Sequence, residues 1–529
     1  MNQPGRAADK IFGLAAIGLA VLWMAAAAWV VFGTKTYGSP DEAANAFFIR
    51  QLATAGTLSA DSSQLPAGSG EQSTSAQLAY WHPRSMQVDG QKLKPGSFLG
   101  LVLVGGTLDF LTFNGAHRLL TPSLALVGLW ALYLILRRFW NQWWALLGSS
   151  LVALHPVWWQ FQTRPWFHNG AFASLLVMAG WRLLRLWEEG TARNAAWFGL
   201  AFGAALFFRP VEVIWAGPLV AIVLLAQRQW RNLVIAATIT LFVQLPWLIS
   251  GWQLYGPSLG AGYSAAQLDT EPVSVGDAFS PLPGVFVPPG GWSWNWMQSA
   301  WWYLVMMVPV WSAATAVALM FYFLRLRTQR LKMLKIILVG IILAYFLSYY
   351  GSWDLYPLEP PTRVGSLASY ARYWLPLYVA MVVGVLWVLK RLRRFRLILA
   401  ASIIALLTSQ TVAILFHPTS GLVRRLKSEA LATTKRQTIL DHTPADAAIV
   451  AGHFDKLLWP ERIVSFRLPR TPDEWDAFRQ LATTRPIFLY VTPRQYRLSD
   501  LQRQLAPRQM SITRDRVIGG DELWRVSIR

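Results

Sequence analysis

The sequence predicts a mainly α protein, a polytopic transmembrane helical bundle of about eleven spans, with a small C-terminal α/β domain on the extracytoplasmic side. Three observations predict it. Apolar residues make up 54% of the chain and charged residues 14%, a balance too apolar for a soluble chain of this length. Apolar runs close to the ~20 residues needed to cross a bilayer recur almost without pause as far as His417. Lys and Arg gather in short clusters between alternate runs, as the positive-inside rule requires.

The net charge of +21 is therefore dispersed along the chain instead of forming one basic domain, which argues against nucleic acid as a partner. Cysteine is absent, so disulfides, thiol nucleophiles and thiolate metal sites are excluded. Any chemistry must use carboxylate, imidazole, amide and cationic groups.

The first run, 11–32, follows Arg6 and Lys10 and reads as an anchored helix, being long for a signal peptide and without a convincing cleavage site. A polar first outer loop, 33–96, leads into 98–113, which is short for a span and reads as an interfacial helix. Runs at 119–136, 143–159, 171–186, 195–208, 211–226, 233–249, 301–324, 336–350, 374–389 and 397–416 complete the set. With the N-terminus in the cytoplasm, Arg137/Arg138, Arg182/Arg185, Arg228/Arg231 and the basic runs 325–335 and 390–396 all fall on the cytoplasmic side. The odd number of spans then places the C-terminus outside.

The expected organisation is thus a membrane domain, 1–417, and a soluble extracytoplasmic α/β domain, 418–529. In the latter, β-rich segments at 448–451, 462–466, 486–491 and 523–528 alternate with polar helical stretches such as 472–482. The long outer loop, 251–299, is rich in Gly, Pro, Ser and aromatic residues, and a structureless loop of that length is usually functional.

Ionisable groups near bilayer depth are costly, so their sidedness is informative. Apart from the cytoplasmic clusters they fall on the outer face: Asp41 and Glu42 just after the first span, Asp89 and Lys94 before the interfacial helix, Arg164 and His168-Asn169 at one outer turn, Arg209 at the next, and Arg363 and Arg372 before the tenth span.

At these residues the sequence resembles a family. Pro40-Asp41-Glu42, Lys94-Pro95-Gly96, Phe208-Arg209-Pro210, Tyr255-Gly256-Pro257-Ser258 with Gly262-Tyr263, and Ala371-Arg372-Tyr373-Trp374-Leu375-Pro376 are similar, in order and topology, to motifs of the GT-C polyprenyl-phosphate-dependent glycosyltransferases. The nearest relatives are bacterial proteins similar to protein O-mannosyltransferases and lipid A aminoarabinose transferases. The resemblance runs through the membrane portion. It implies a GT-C fold and transfer of a sugar from a polyprenyl phosphate to a lipid, glycan or protein acceptor at the outer face of the cytoplasmic membrane.

Residue chemistry agrees with that reaction. A phosphate leaving group needs its developing charge neutralised, which favours cations over a general acid. The resemblance puts Lys94 at the donor phosphate, with Arg372 and Arg209 as further candidates. The acceptor must lose a proton as it attacks, and Asp41 is the candidate base, with Glu42 beside it orienting the acceptor or holding a cation. Adjacent side chains diverge, so the two do not form the facing pair of a glycoside hydrolase. Arg164, His168, Asn169, Tyr255 and Tyr263 are the candidate substrate contacts. Where relatives often carry another acid, the outer turn here reads Arg164-Pro165-Trp166-Phe167-His168-Asn169, so the metal stays open, with a divalent cation as candidate cofactor.

Each residue also has a purely structural role available. Asp41-Glu42 can cap a helix beginning at Ala43, Lys94 can snorkel, and Arg209 can pair with Glu212 along a helix. His168 can be an interfacial histidine, and the loop aromatics an interfacial belt. The rival function is a transporter or flippase of lipid-linked sugars, which predicts polar groups at mid-depth and on both faces. A third is a non-catalytic assembly protein acting through its C-terminal domain.

Overall fold

The computed structural model describes the chain apart from residues 1–5, 34–35, 62–79, 90–91, 113, 257–291, 293, 327–329, 353–368, 493–497 and most of 392–421. The chain forms two compact units. One comprises Met1–Gly33, Arg118–Ile249 and Ser274–Arg425; the other comprises Thr34–His117, Ser250–Val273 and Leu426–Arg529.

The first unit is helical, and its helices overlie the apolar runs: Arg6–Gly33, Leu120–Arg137, His168–Glu189, Ala192–Phe208, Val213–Ala226, Trp230–Tyr255 as far as Ile249, Arg330–Gly351 and Leu375–Arg391. Two runs expected as single spans are interrupted. The run at 143–159 divides into Gln142–Ala153 and Pro156–Gln162. The run at 301–324 bends by 101° between Trp296–Met306 and Pro309–Leu324. In each case a proline begins the second piece. It lacks the N–H that would continue the ladder and crowds the preceding turn. Among the described residues, four helices are long and apolar enough to cross a membrane, or five counting the bent pair. The 397–416 run lies largely outside the described residues.

Small residues let these helices approach closely, as expected where apolar burial gives no preference for protein over lipid. A Cβ on Gly199 would stand 2.6 Å from the Ala236 carbonyl oxygen. The polar partners here are Thr240, whose hydroxyl donates to the Gly199 carbonyl at 3.1 Å, and Gln244, whose amide donates to the Gly203 carbonyl at 2.7 Å.

In the second unit, Asp521–Ile528 and the other C-terminal strands form a five-stranded sheet. Its spatial order is Ile463–Ser465, Ala448–Val450, Ile487–Val491, Asp521–Ile528, Met510–Ile518. The first three strands are parallel and the last two pair antiparallel. The strands expected near 448, 462, 486 and 523 are present, and so is the helix at 472, which runs Pro472–Thr484 behind a Thr471/Glu474 capping box. Strand Met510–Ile518 was not foreseen; its outward run Thr513–Arg516 is charged and lacks an alternating pattern.

The core of this sheet takes Tyr80 and Trp81 from the first outer loop. Trp81 stacks on Phe478 with ring centroids 5.6 Å apart, and the Tyr80 hydroxyl donates to the Arg467 carbonyl at 2.5 Å. This is why 34–117 joins the tail in one compact unit. The described part of the loop forms helix Pro40–Ala55 and a three-stranded sheet in which Lys92–Pro95 lies between Ala60–Asp61 and Met86–Asp89. The short apolar segment is helix Leu99–Leu111. Its Gly105 and Gly106 fit against Ile49 and Leu52 of Pro40–Ala55, while Phe110 and Leu111 at its end are exposed.

Candidate active site

Helix Pro40–Ala55 begins at Ser39, whose hydroxyl accepts from the Asp41 N–H at 3.2 Å, with Pro40 in the first position where no donor is needed. Helix capping by this segment is therefore real, and it begins before Ala43. Glu42 turns back and accepts from the Gly38 N–H at 2.8 Å, and its residue surface is fully buried. Asp41 points elsewhere. Its carboxylate accepts from the Ser85 hydroxyl at 2.7 Å and remains half-buried. The two neighbouring acids thus diverge, as adjacent side chains on a helix do.

Ser85 is the joint of this group of residues. Besides holding Asp41, its carbonyl accepts from the Gly96 N–H at 3.0 Å. A Cβ on Gly96 would lie 2.5 Å from that oxygen, so only glycine allows the approach. Ser85 itself has φ of 62°, a conformation non-glycine residues adopt at a cost of roughly 1–2 kcal/mol. Such strain persists only where surrounding contacts determine it. The strand entering Gly96 carries Lys94, paired across from Gln87. The Lys94 ammonium is 2.5 Å from Asp89 and also donates to the Leu254 carbonyl. Next to Leu254, the Tyr255 hydroxyl donates to the Pro95 carbonyl at 2.5 Å. Tyr255 thereby braces the Lys94-Pro95-Gly96 segment, while Tyr263 lies outside the described residues.

On the other side of Ser85 stands Arg84, clamped to Asp455 of the tail. Its N–H, Nε and Nη2 reach the carboxylate at 2.9, 3.1 and 2.8 Å. Burial alone would raise the Asp455 carboxyl, but the Arg84 charge and hydrogen bonds outweigh it and hold the group below its usual range. Burial and the Arg84 charge together push His453 down. Lys456, beside Asp455, donates to the Gly38 carbonyl at 2.8 Å, behind Glu42. Sequence reasoning did not select Ser85, Arg84, Asp455 or Lys456: Arg84 and Asp455 are 371 positions apart, and no motif marks either.

In the helical unit, Arg209 follows the end of Ala192–Phe208, where Pro210 stops the helix. It is 1% exposed. Its Nε donates to Glu212 at 2.6 Å, and the Tyr350 hydroxyl donates to the same oxygen at 2.5 Å. Trp215 donates to the other Glu212 oxygen. The pairing with Glu212 that sequence spacing allowed is therefore present. Arg372 comes from the turn Ser369–Trp374, and its Nη2 donates to the Tyr373 hydroxyl at 3.1 Å. Both guanidinium carbons lie 5.1 Å from the Tyr373 ring centroid, and that of Arg372 also lies 4.7 Å from Phe167. Arg209 and Arg372 thus share one aromatic plate. Phe167 immediately precedes His168 and Asn169, which open helix His168–Glu189, and Arg164 sits in the turn before it; all three polar side chains are buried.

Taken by itself, the unit that contains the tail holds a carboxylate oriented by a hydroxyl and a lysine on an adjoining strand. The helical unit, taken by itself, holds two arginines against aromatic faces with buried amide and imidazole groups. Among the described residues no group of three or more His, Cys, Asp or Glu side chains gathers that could hold a metal ion.

Residues 114–250 match the family pattern of the dolichyl-phosphate-mannose-protein mannosyltransferases. No curated protein sequence matches the chain. Among solved structures, ArnT from Cupriavidus metallidurans bound to undecaprenyl phosphate aligns with a TM-score of 0.54 at 13% identity, covering 96% of this chain and 98% of that one. The apo state of the same protein gives 0.55 at 15% identity, covering 97% and 98%. The likeness extends over nearly the whole of both chains, tail included. The chain is a membrane protein with the GT-C fold, similar to the polyprenyl-phosphate-dependent glycosyltransferases.

Proposed function

We propose that this chain is a membrane glycosyltransferase that moves a hexosyl or pentosyl unit from a polyprenyl-phosphate donor to a lipid, glycan or protein acceptor at the outer face of the cytoplasmic membrane. The family pattern over 114–250 and the fold shared with an undecaprenyl-phosphate-binding transferase support the class. The N-terminus is cytoplasmic in this reading and the tail extracytoplasmic, supported by the sidedness of the basic clusters.

The observation that carries the residue assignment is Ser85 joining Asp41 to the Lys94 strand: its hydroxyl holds the carboxylate and its carbonyl holds Gly96. The acceptor O–H or N–H gives its proton to Asp41 as the acceptor atom bonds to the anomeric carbon. The bond from that carbon to the phosphate oxygen breaks, and the prenyl phosphate leaves with the electron pair. Lys94 neutralises the departing charge, and Arg372 is the second cation assigned to it. Arg209 serves through Glu212, Tyr350 and Tyr373 to fix the aromatic plate. Arg164, His168, Asn169, Tyr255 and Tyr263 are assigned as the substrate contacts. A single displacement inverts the anomeric centre.

The test is product analysis by NMR together with Asp41→Asn. Inverted product, and loss of transfer by ~10²–10⁴-fold with expression unchanged, is the expected result. Retained configuration, or full activity in the variant, removes Asp41 as base.

A further inference from the structure

A second basic site lies at the far end of helix His168–Glu189 from the candidate active site, roughly 20–30 Å along the helix from His168. There the ends of Leu120–Arg137 and His168–Glu189 and the start of Ala192–Phe208 enclose a cleft of about 750 Å³. Arg137, Arg138, Arg182, Arg185 and Arg193 line it, with Glu189 as the acidic lining residue. Arg138 is paired with Glu188, and Arg185 with Glu189. Among the described residues, Arg182 and Arg193 have no carboxylate within ion-pair distance. The cleft is therefore a positive pocket of a size that takes a ligand, not a neutralised network.

Arg182 is also held in place. Its guanidinium carbon lies 4.2 Å from the ring centroid of Trp181 and 5.2 Å from that of Trp197. Stacking between two indoles fixes the planar donor fork before an anion arrives. Beyond the cleft, the lining changes to apolar. Exposed Val127 and Trp130 precede the cleft-lining Leu134 at helical spacing, and exposed Leu200 follows Trp197 by three positions. Two greasy ridges thus lead from the arginines toward the middle of both helices.

We propose that this cleft binds the headgroup of an anionic phospholipid, the arginines taking the phosphate and the ridges the proximal acyl chains. Soluble phosphate would use the cleft and leave the ridges empty; a lipid uses both. The site is independent of the transfer reaction.

The test is native mass spectrometry of the full chain from neutral micelles, titrated separately with phosphatidylglycerol, phosphatidylcholine and soluble glycerol phosphate. Phosphatidylglycerol is expected to be retained over the other two. The double substitution Arg182→Gln, Arg193→Gln should weaken its retention about 25-fold, from about fivefold for each basic side chain removed. Arg182→Lys with Arg193→Lys should restore most of it, separating charge from folding. Equal retention of phosphatidylglycerol and phosphatidylcholine, or of phosphatidylglycerol by the wild-type chain and the glutamine variant, overturns the proposal. So does glycerol phosphate binding as well as the lipid, which makes the cleft a site for soluble phosphate.

Discussion

If Ser85 positions Asp41, and Arg84 positions Ser85, then removing Asp455 should slow transfer without touching substrate. The Asp455 side chain is fully buried, whereas that of Arg84 is 26% exposed. Removing one partner of a buried pair costs ~3–5 kcal/mol. Arg84 keeps partial access to water and its 2.9 Å contact with His453, which points to the lower end, about 3 kcal/mol. Only part of that can reach the reaction. The ceiling is the hydrogen bond from Ser85 to the Asp41 carboxylate, worth ~1.5–3 kcal/mol, or ~10- to 150-fold in kcat. Asp455→Ala and Ser85→Ala should therefore each lower kcat within that range, with donor KM little changed. Combined, they should fall no further than Ser85→Ala alone, a coupling above ~1 kcal/mol. The assay is turnover of a lipid-linked sugar by the purified full chain at saturating donor and acceptor. Effects that multiply to within ~0.5 kcal/mol, or an Asp455→Ala variant with unaltered kcat, refute the chain of positioning from the tail to the base.

Lys94→Ala should raise donor KM by ~10-fold or more with acceptor KM unchanged, measured by donor titration, since it removes a charge-assisted contact to phosphate. Glu212→Gln should destabilise the helical unit by ~3–5 kcal/mol by stranding buried Arg209, and Arg209→Met with Glu212→Gln should recover part of this in thermal melts of the micellar protein. Gly199→Val should cut the folded fraction in size-exclusion profiles, because its Cβ meets backbone at 2.6 Å, where neither helix can yield cheaply. Partial burial of Glu474 opposes ionisation, but Arg467 and the Arg470 and Thr471 N–H groups bring its carboxyl down to about 2. Because the folded value is depressed, the stabilisation is complete above the unfolded value near ~4.3 and disappears as pH falls through about 2. Hydrogen exchange across Pro472–Thr484 should show Glu474→Gln less protected than wild type at neutral pH, with the difference fading toward pH ~2.

The local pattern of the sequence was enough to place most elements. Apolar runs marked the helices, and β-rich segments marked the tail strands at 448, 463, 487 and 521, because helix and strand periodicities are carried by neighbours a few residues apart. The Arg209–Glu212 pair was legible for the same reason, being three positions apart. Breaks at Pro156 and Pro309 were legible in principle, but hydropathy averages across a proline and conceals them. Strand Met510–Ile518 escaped because its charged stretch meets solvent on an edge, where alternation is not enforced.

The sequence by itself determined the membrane class, the chemistry available without cysteine, and the identities of Asp41, Lys94 and Arg372 as candidates. Only the tertiary structure decided which of two adjacent acids faces Ser85, that Lys94 shares a scaffold with Asp41, and that Arg209 and Arg372 flank one tyrosine. It also drew Asp455 into the support of Arg84 across 371 positions and sent Tyr80 and Trp81 into the core of the tail. The physical reason is range. Hydrophobic pattern and helix capping act over a few residues, whereas a buried ion pair is selected by desolvation, and that exists only once distant segments have met.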